Sequence, residues 1–118
     1  MEFTDHIKEL ARRSKAAAEK ALTEEATKTS VVLPFIQTLG FDPFNLDEVI
    51  PEYTADVGTK KGEKVDFALR INGETSILVE VKAITAQLGK SHYSQLYRYF
   101  GVTDAKLAIL TNVKPASI

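Results

Sequence analysis

Two short β-type runs flanking Asn72-Gly73 constrain this chain more than any other feature, because each places charge inside an otherwise apolar strand. The first reads Lys64-Val65-Asp66-Phe67-Ala68-Leu69-Arg70-Ile71 and the second Ser76-Ile77-Leu78-Val79-Glu80-Val81-Lys82. Side chains alternate faces along a strand. Val65, Phe67, Leu69 and Ile71 are therefore expected on one face of the first strand, with Ile77, Val79 and Val81 on one face of the second. Asp66 then lies on the opposite face with Ala68, and Glu80 and Lys82 lie with Leu78.

The turn decides whether these faces coincide, and Gly73 supplies the positive φ that a tight hairpin needs. A two-residue loop pairs Ala68 with Ile77 and sets the apolar rows on opposite sides. A three-residue loop, Asn72-Gly73-Glu74, pairs Ile71 with Thr75, Ala68 with Leu78 and Asp66 with Glu80. Register follows the buried row, so the three-residue loop is expected. Asp66 and Glu80 then face each other with Cβ atoms roughly 5 Å apart. Like charges that close repel unless a cation sits between them or one is protonated, and a divalent metal resolves the conflict. The plainer alternative is an exposed pair, with Lys82 neutralising Glu80 as a surface ion pair of little energetic weight. Ala68 and Leu78 flank the acids, so their face is expected to be half covered, which favours a site.

The 118 residues suit one domain, with an N-terminal helix over 1–22 and a core over 23–112. A hydrophobic share of 44% and a charged share of 26% are those of an ordinary globule. No apolar run approaches the ~20 residues of a membrane span, and the start of the chain shows no signal-peptide pattern. Without cysteine there is no disulfide framework, thiolate nucleophile or zinc finger, and the cytoplasm is the expected compartment. Fifteen Lys and Arg against 16 Asp and Glu make any nucleic-acid surface a local one. Its candidates are Lys60, Lys61 and Lys64, and the stretch from Lys82 through Lys90 and His92 to Arg98, though such clusters are more often merely solvated.

Strong helix formers predict a first helix over about 4–21, with a thin apolar stripe suited to the edge of a core or to a partner. Thr23 predicts the N-cap of a second helix, whose face is Val32, Phe35, Ile36 and Leu39 and whose end is Gly40. Pro34 inside it implies a kink or a lost hydrogen bond. A strand over 48–55 is placed at the sheet edge by Pro51. A third helix over about 85–100 and a buried, parallel strand over 106–111 close a right-handed βαβ unit. The order is α-α-β-β-β-α-β.

An Asp and a Glu-x-Lys on neighbouring strands suit metal-dependent hydrolysis of phosphodiesters. Two carboxylates can hold Mg²⁺ or Mn²⁺, hard cations that prefer oxygen. The metal acidifies water and offsets charge on the phosphate. Lys82 can orient that water or stabilise the transition state. No Walker loop and no Ser-His-Asp or Cys-His set competes.

Val65-Asp66 with Glu80-Val81-Lys82 resembles the PD-(D/E)XK nuclease motif, with Val65 where the motif name has proline. Gln95-Leu96-Tyr97-Arg98-Tyr99 resembles the Gln-x-x-x-Tyr motif of the RecB-like branch. Thr23-Glu24-Glu25-Ala26-Thr27-Lys28, Leu33-Pro34-Phe35, Leu39-Gly40-Phe41-Asp42, Lys60 to Asp66 and Leu110-Thr111-Asn112 resemble the N-terminal nuclease domain of type I restriction enzyme R subunits. The resemblance implies an α/β, restriction-endonuclease-like αβββαβ core, a mixed sheet flanked by helices, with an extra N-terminal helix. It implies Asp66 and Glu80 as metal ligands with the Val81 carbonyl, Glu24 or Glu25 completing the set, and Lys82 as the catalytic lysine. Gln95 and Tyr99, four apart on one helix face, would touch the site or the DNA backbone, or would anchor the helix.

R subunits continue beyond this region into motor domains, so a complete restriction activity is not implied. The expected activity is Mg²⁺-dependent hydrolysis of DNA, stand-alone or recruited by a larger nucleic-acid-processing complex. The last residues, Val113 to Ile118, lack a further strand, and the sheet edge left over favours a homo-oligomer. The competing readings are a non-catalytic nucleic-acid-binding or assembly module that keeps the fold, and a structural oligomer whose acidic pair is a surface accident.

Overall fold

The order of the elements follows from where the apolar periodicity changes. A computed structural model describes residues 2–20, 23–54, 64–83 and 86–112. They form helices α1 (Phe3–Lys20), α2 (Glu24–Thr27) and α3 (Leu33–Thr38), with a π-helical turn at Lys28–Val32 joining the last two. Strands β1 (Val49–Thr54), β2 (Lys64–Ile71) and β3 (Glu74–Val81) follow, then α4 (Lys90–Gly101) and β4 (Leu107–Thr111). The strands make one mixed sheet in the order β1-β2-β3-β4, antiparallel except for the parallel β3–β4 pair. This α/β architecture is compatible with a restriction-endonuclease-like fold. Pro51 lies on the edge strand β1, where its missing N–H does no harm.

Each sheet face has its own core. Val32 and Ile36 pack on Val49, Phe67, Leu69, Val79 and Val81. On the other side Leu96 and Tyr99 of α4 pack with Ala105 on Val65, Ala68 and Leu78. Strands β2 and β3 are thus covered on both faces and read as nearly continuous apolar runs.

The widened turn in the second helix has a sequence cause. Thr23 caps the helix, its hydroxyl accepting the Ala26 N–H at 3.2 Å. Thr27, Thr29 and Ser30 then donate their hydroxyls to the carbonyls of Thr23, Glu25 and Ala26, four residues back. Such back-bonding competes with the helical ladder and bends it. Pro34 has no N–H for the Ser30 carbonyl, and Arg13 Nη1 of α1 donates to that oxygen at 3.4 Å. The chain responds with an i→i+5 bond from the Leu33 N–H to the Lys28 carbonyl. This is the disturbance expected from Pro34. Gly40, at φ +103°, ends the helix.

Helix α1 buries only Ala17 and sits at the edge of the fold, as its thin stripe predicts. An apolar groove remains between Ile7, Leu10 and Ala11 of α1 and Val31, Val32, Phe35, Val79 and Ile109.

Four expectations are corrected. The β2–β3 loop has two residues, Asn72 at φ +53° and Gly73 at φ +79°, and Ile71 pairs with Glu74. A bulge then absorbs Ser76, because Arg70 pairs with Thr75 but Leu69 with Ile77. One extra residue in β3 realigns the apolar rows, and Ala68 meets Leu78 as expected. Strict alternation also fails across Asp66: Val65 belongs to the Tyr99 core, whereas Phe67 belongs to the opposite one. The facing backbone kinks here, since Glu52 (φ +51°) stands between Pro51, opposite Phe67, and Tyr53, opposite Val65. Helix α4 begins at Lys90, not near Thr85, with Gly89 as its N-cap and the Gly89 N–H bonded to His92 Nδ1. Finally, β4 is the other edge strand among the described residues and is half-buried, with Leu107 exposed, not wholly buried.

Candidate active site

The sheet forks where the acidic residues stand. The β2–β3 register runs no further than Phe67 opposite Val79. Beyond it β2 stays with β1, through Tyr53 opposite Val65. Strand β3 stays with β4, through Glu80 opposite Leu110 and Val81 opposite Thr111. The carboxylates fill the notch and take over the ladder. The Asp66 N–H donates to Glu80 Oε1 at 3.1 Å, and the Val81 N–H donates to Asp66 Oδ2 at 2.6 Å. Each acid thereby satisfies a backbone donor that the diverging strands leave unpaired.

Two lysines balance the acids. Lys28 Nζ lies 2.5 Å from Asp66 Oδ1, and Lys82 Nζ lies 3.7 Å from Glu80 Oε2. The four side chains retain only 9–21% of their exposure, so the charges act on one another in a medium far less screening than water. Burial, and then the side-chain hydrogen bond and charge of Asp66, push the Glu80 carboxyl up to about 7, with the Asp66 backbone N–H and then Lys82 opposing. For Lys28, burial works against the charge. Hydrogen bonds to Asp66 and Glu25 outweigh it and hold the ammonium above its usual range.

Asp66, Glu80 and Lys82 are thus brought together. Of the two helical glutamates, Glu25 is linked to the notch through Lys28 at 2.8 Å, and the Glu24 carboxylate joins neither ion pair. Lys64 is exposed and pairs with Glu52 at 3.7 Å. Lys60 and Lys61 lie outside the described residues. Gln95 is half-buried, and Tyr99 is fully buried in the α4 core, which makes it an anchor of the helix with no surface to offer a ligand.

Lys28 is the member of the site that sequence reasoning missed. It stands in the Thr23–Lys28 stretch with no role attached, because the only signal, a lysine three residues after Glu25, reads as an ordinary surface helix pair.

The donor chemistry suits a hard divalent cation. Two carboxylates share one notch, and Glu80 keeps its proton to about 7, first because it is buried and second because Asp66 is near. Asp66 Oδ1 and Glu80 Oε2 are the oxygens not engaged with backbone N–H groups, and each faces an ammonium. Among the described residues no three Asp, Glu, His or Cys side chains converge into a ready metal cluster.

A mixed sheet forked around a paired Asp and Glu defines an α/β domain with an acidic site at its centre. Residues 23–118 match the type I restriction enzyme R protein N terminus (HSDR_N), and the chain belongs to that family. No curated protein and no solved structure matches it.

Proposed function

We propose that this chain is a PD-(D/E)XK-type nuclease domain that hydrolyses DNA phosphodiester bonds with Mg²⁺ or Mn²⁺. The observation that carries the reading is the notch itself, where Asp66 and Glu80 are held by each other's strands with Lys82 alongside. Membership of a restriction-enzyme family supports it. Asp66 and Glu80 would hold the cation, with the Val81 carbonyl and Glu24 or Glu25 as further oxygens. Such a cation lowers the pKa of water and offsets charge on the scissile phosphate. Lys82, fixed beside Glu80, donates to the attacking water or to the phosphate oxygens as charge builds there. Lys60, Lys61, Lys64 and Gln95 would serve the nucleic-acid backbone, while Tyr99 holds α4 in place. DNA, a second copy of the chain and a larger nucleic-acid-processing complex are the proposed partners, in the cytoplasm.

One observation favours the second reading, a non-catalytic nucleic-acid-binding or assembly module. Lys28 and Lys82 already balance the two acids without a metal.

The deciding experiment pairs Mn²⁺ titration with cleavage of plasmid and single-stranded DNA, using wild type and Glu80→Gln. Cleavage by wild type that disappears in the variant supports the nuclease. Equal cleavage by both pure proteins rules out Glu80 as part of the chemistry. Metal binding without cleavage of either substrate favours the second reading.

A further inference from the structure

Lys28 shares one ammonium between two acids of opposite situation. Asp66, 2.5 Å away, has a side chain only 13% exposed; Glu25, 2.8 Å away, has one that is 83% exposed. Asp66 Oδ2 is committed to the Val81 N–H, so Oδ1 is the oxygen a metal would use, and Lys28 is on it. The placement is built into the backbone. Lys28 opens the π-helical turn that directly follows the Thr23-capped α2, and the Ser30 carbonyl within that turn is held by Arg13.

We propose that Lys28 is a tethered cation that competes with the divalent metal for Asp66 Oδ1, and that Glu25 is the acid onto which it withdraws. The inference rests on the reading of Asp66 and Glu80 as metal ligands. An ammonium at 2.5 Å occupies the approach that a metal needs to reach the same oxygen, and two cations on one oxygen repel. When Lys28 leaves Asp66 it keeps a carboxylate partner in Glu25, so its charge is never stranded. The metal-free protein in turn never carries a bare acidic pair. With Glu24 taken as the helical ligand of the proposed site, Lys28 and Glu25 then set metal affinity without being ligands.

The test is calorimetric titration of Mn²⁺ into the full chain as wild type, Lys28→Met, Glu25→Gln and the double variant, with folding checked by circular dichroism. Lys28→Met is expected to bind about tenfold tighter, a typical coupling between competing sites. Glu25→Gln is expected to bind several-fold more weakly, because Lys28 then rests on Asp66 alone. In the Lys28→Met background Glu25→Gln is expected to change nothing, since Glu25 acts through Lys28. Should Lys28→Met fail to fold, Lys28→Gln and the exposed Glu25→Gln carry the same comparison.

Wild type that binds at the notch, shown by loss of binding in Asp66→Asn/Glu80→Gln, with no gain in Lys28→Met, overturns this inference alone. Loss from Glu25→Gln in both backgrounds makes Glu25 a ligand and overturns its role as the withdrawal partner. Binding that ignores Asp66→Asn/Glu80→Gln, or no binding by any variant, overturns the ligand reading and this inference together.

Discussion

Glu80 Oε1 accepts the backbone N–H of Asp66 at 3.1 Å, so the more buried acid is fastened to the strand that carries the other. The contact gives Glu80 a structural task separate from any chemistry. Glu80→Ala leaves that N–H without its acceptor at a half-buried position and is expected to cost about 1–3 kcal/mol. Glu80→Gln keeps an amide oxygen in its place and is expected to stay close to wild type. Urea unfolding of both variants checks the difference. Equal losses would mean that the hydrogen bond contributes nothing to the fold.

The same carboxyl makes stability depend on pH in a direction opposite to most acids. Its folded value is raised, by burial first and by Asp66 second, from the usual 4.5 to about 7. The folded state therefore holds the proton more tightly, and this contribution is fully present below 4.5. It is lost as pH rises through about 7. Glu80→Gln mimics the protonated form and has nothing to lose. Between pH 4.5 and 8, the Tm of wild type is expected to fall relative to that of the variant. A constant difference across that range would place the Glu80 pKa near its ordinary value. If the notch binds metal as proposed, it does so through the Glu80 carboxylate, and Mn²⁺ affinity of the wild type is expected to weaken toward tenfold per unit below pH 7.

Much of this site was legible because it depends on residue types inside apolar strands. Asp66, Glu80 and Lys82 stand out where Val, Leu and Ile surround them, and the pairing of Ala68 with Leu78 follows from aligning the buried rows. The route to that pairing was not legible. Asn72-Gly73 is a sound two-residue turn, and only the bulge at Ser76 reconciles it with the apolar rows. A bulge leaves no mark that distinguishes Ser76 from any other half-exposed serine. The fork at Asp66 was hidden for a similar reason. Alternation assumes a continuous ladder, and here side chains replace the ladder. Lys28 was out of reach because its partner lies 38 positions away on another element, and no local spacing encodes that contact.

The Thr23 cap offers a test of how far backbone register controls the notch. Its hydroxyl holds the Ala26 N–H at 3.2 Å, and its carbonyl accepts both the N–H and the hydroxyl of Thr27, which is fully buried. Thr23→Ala is expected to cost about 1 kcal/mol, the usual loss for a Thr cap. Thr23→Ser or Thr23→Asp restores the acceptor and most of the stability. Denaturant midpoints read the loss and the recovery. If Thr23→Asp fails to recover it, the methyl packing of Thr23 matters more than the cap.

Tyr99 separates anchoring from contact with a ligand. It is fully buried with Leu96, Ala105, Val65, Ala68 and Leu78, at the centre of the layer that α4 lays over the sheet. Removing the ring leaves a cavity that the two rigid strands cannot close, and Tyr99→Ala is expected to cost about 3–5 kcal/mol. Tyr99→Phe keeps the packing and is expected to cost about 1 kcal/mol. Because the ring has no exposed surface, the proposed DNA affinity is expected to be the same in folded Tyr99→Phe as in wild type, measured by fluorescence anisotropy at fixed salt. A marked fall in affinity without a fall in stability would require α4 to move on binding and expose the hydroxyl.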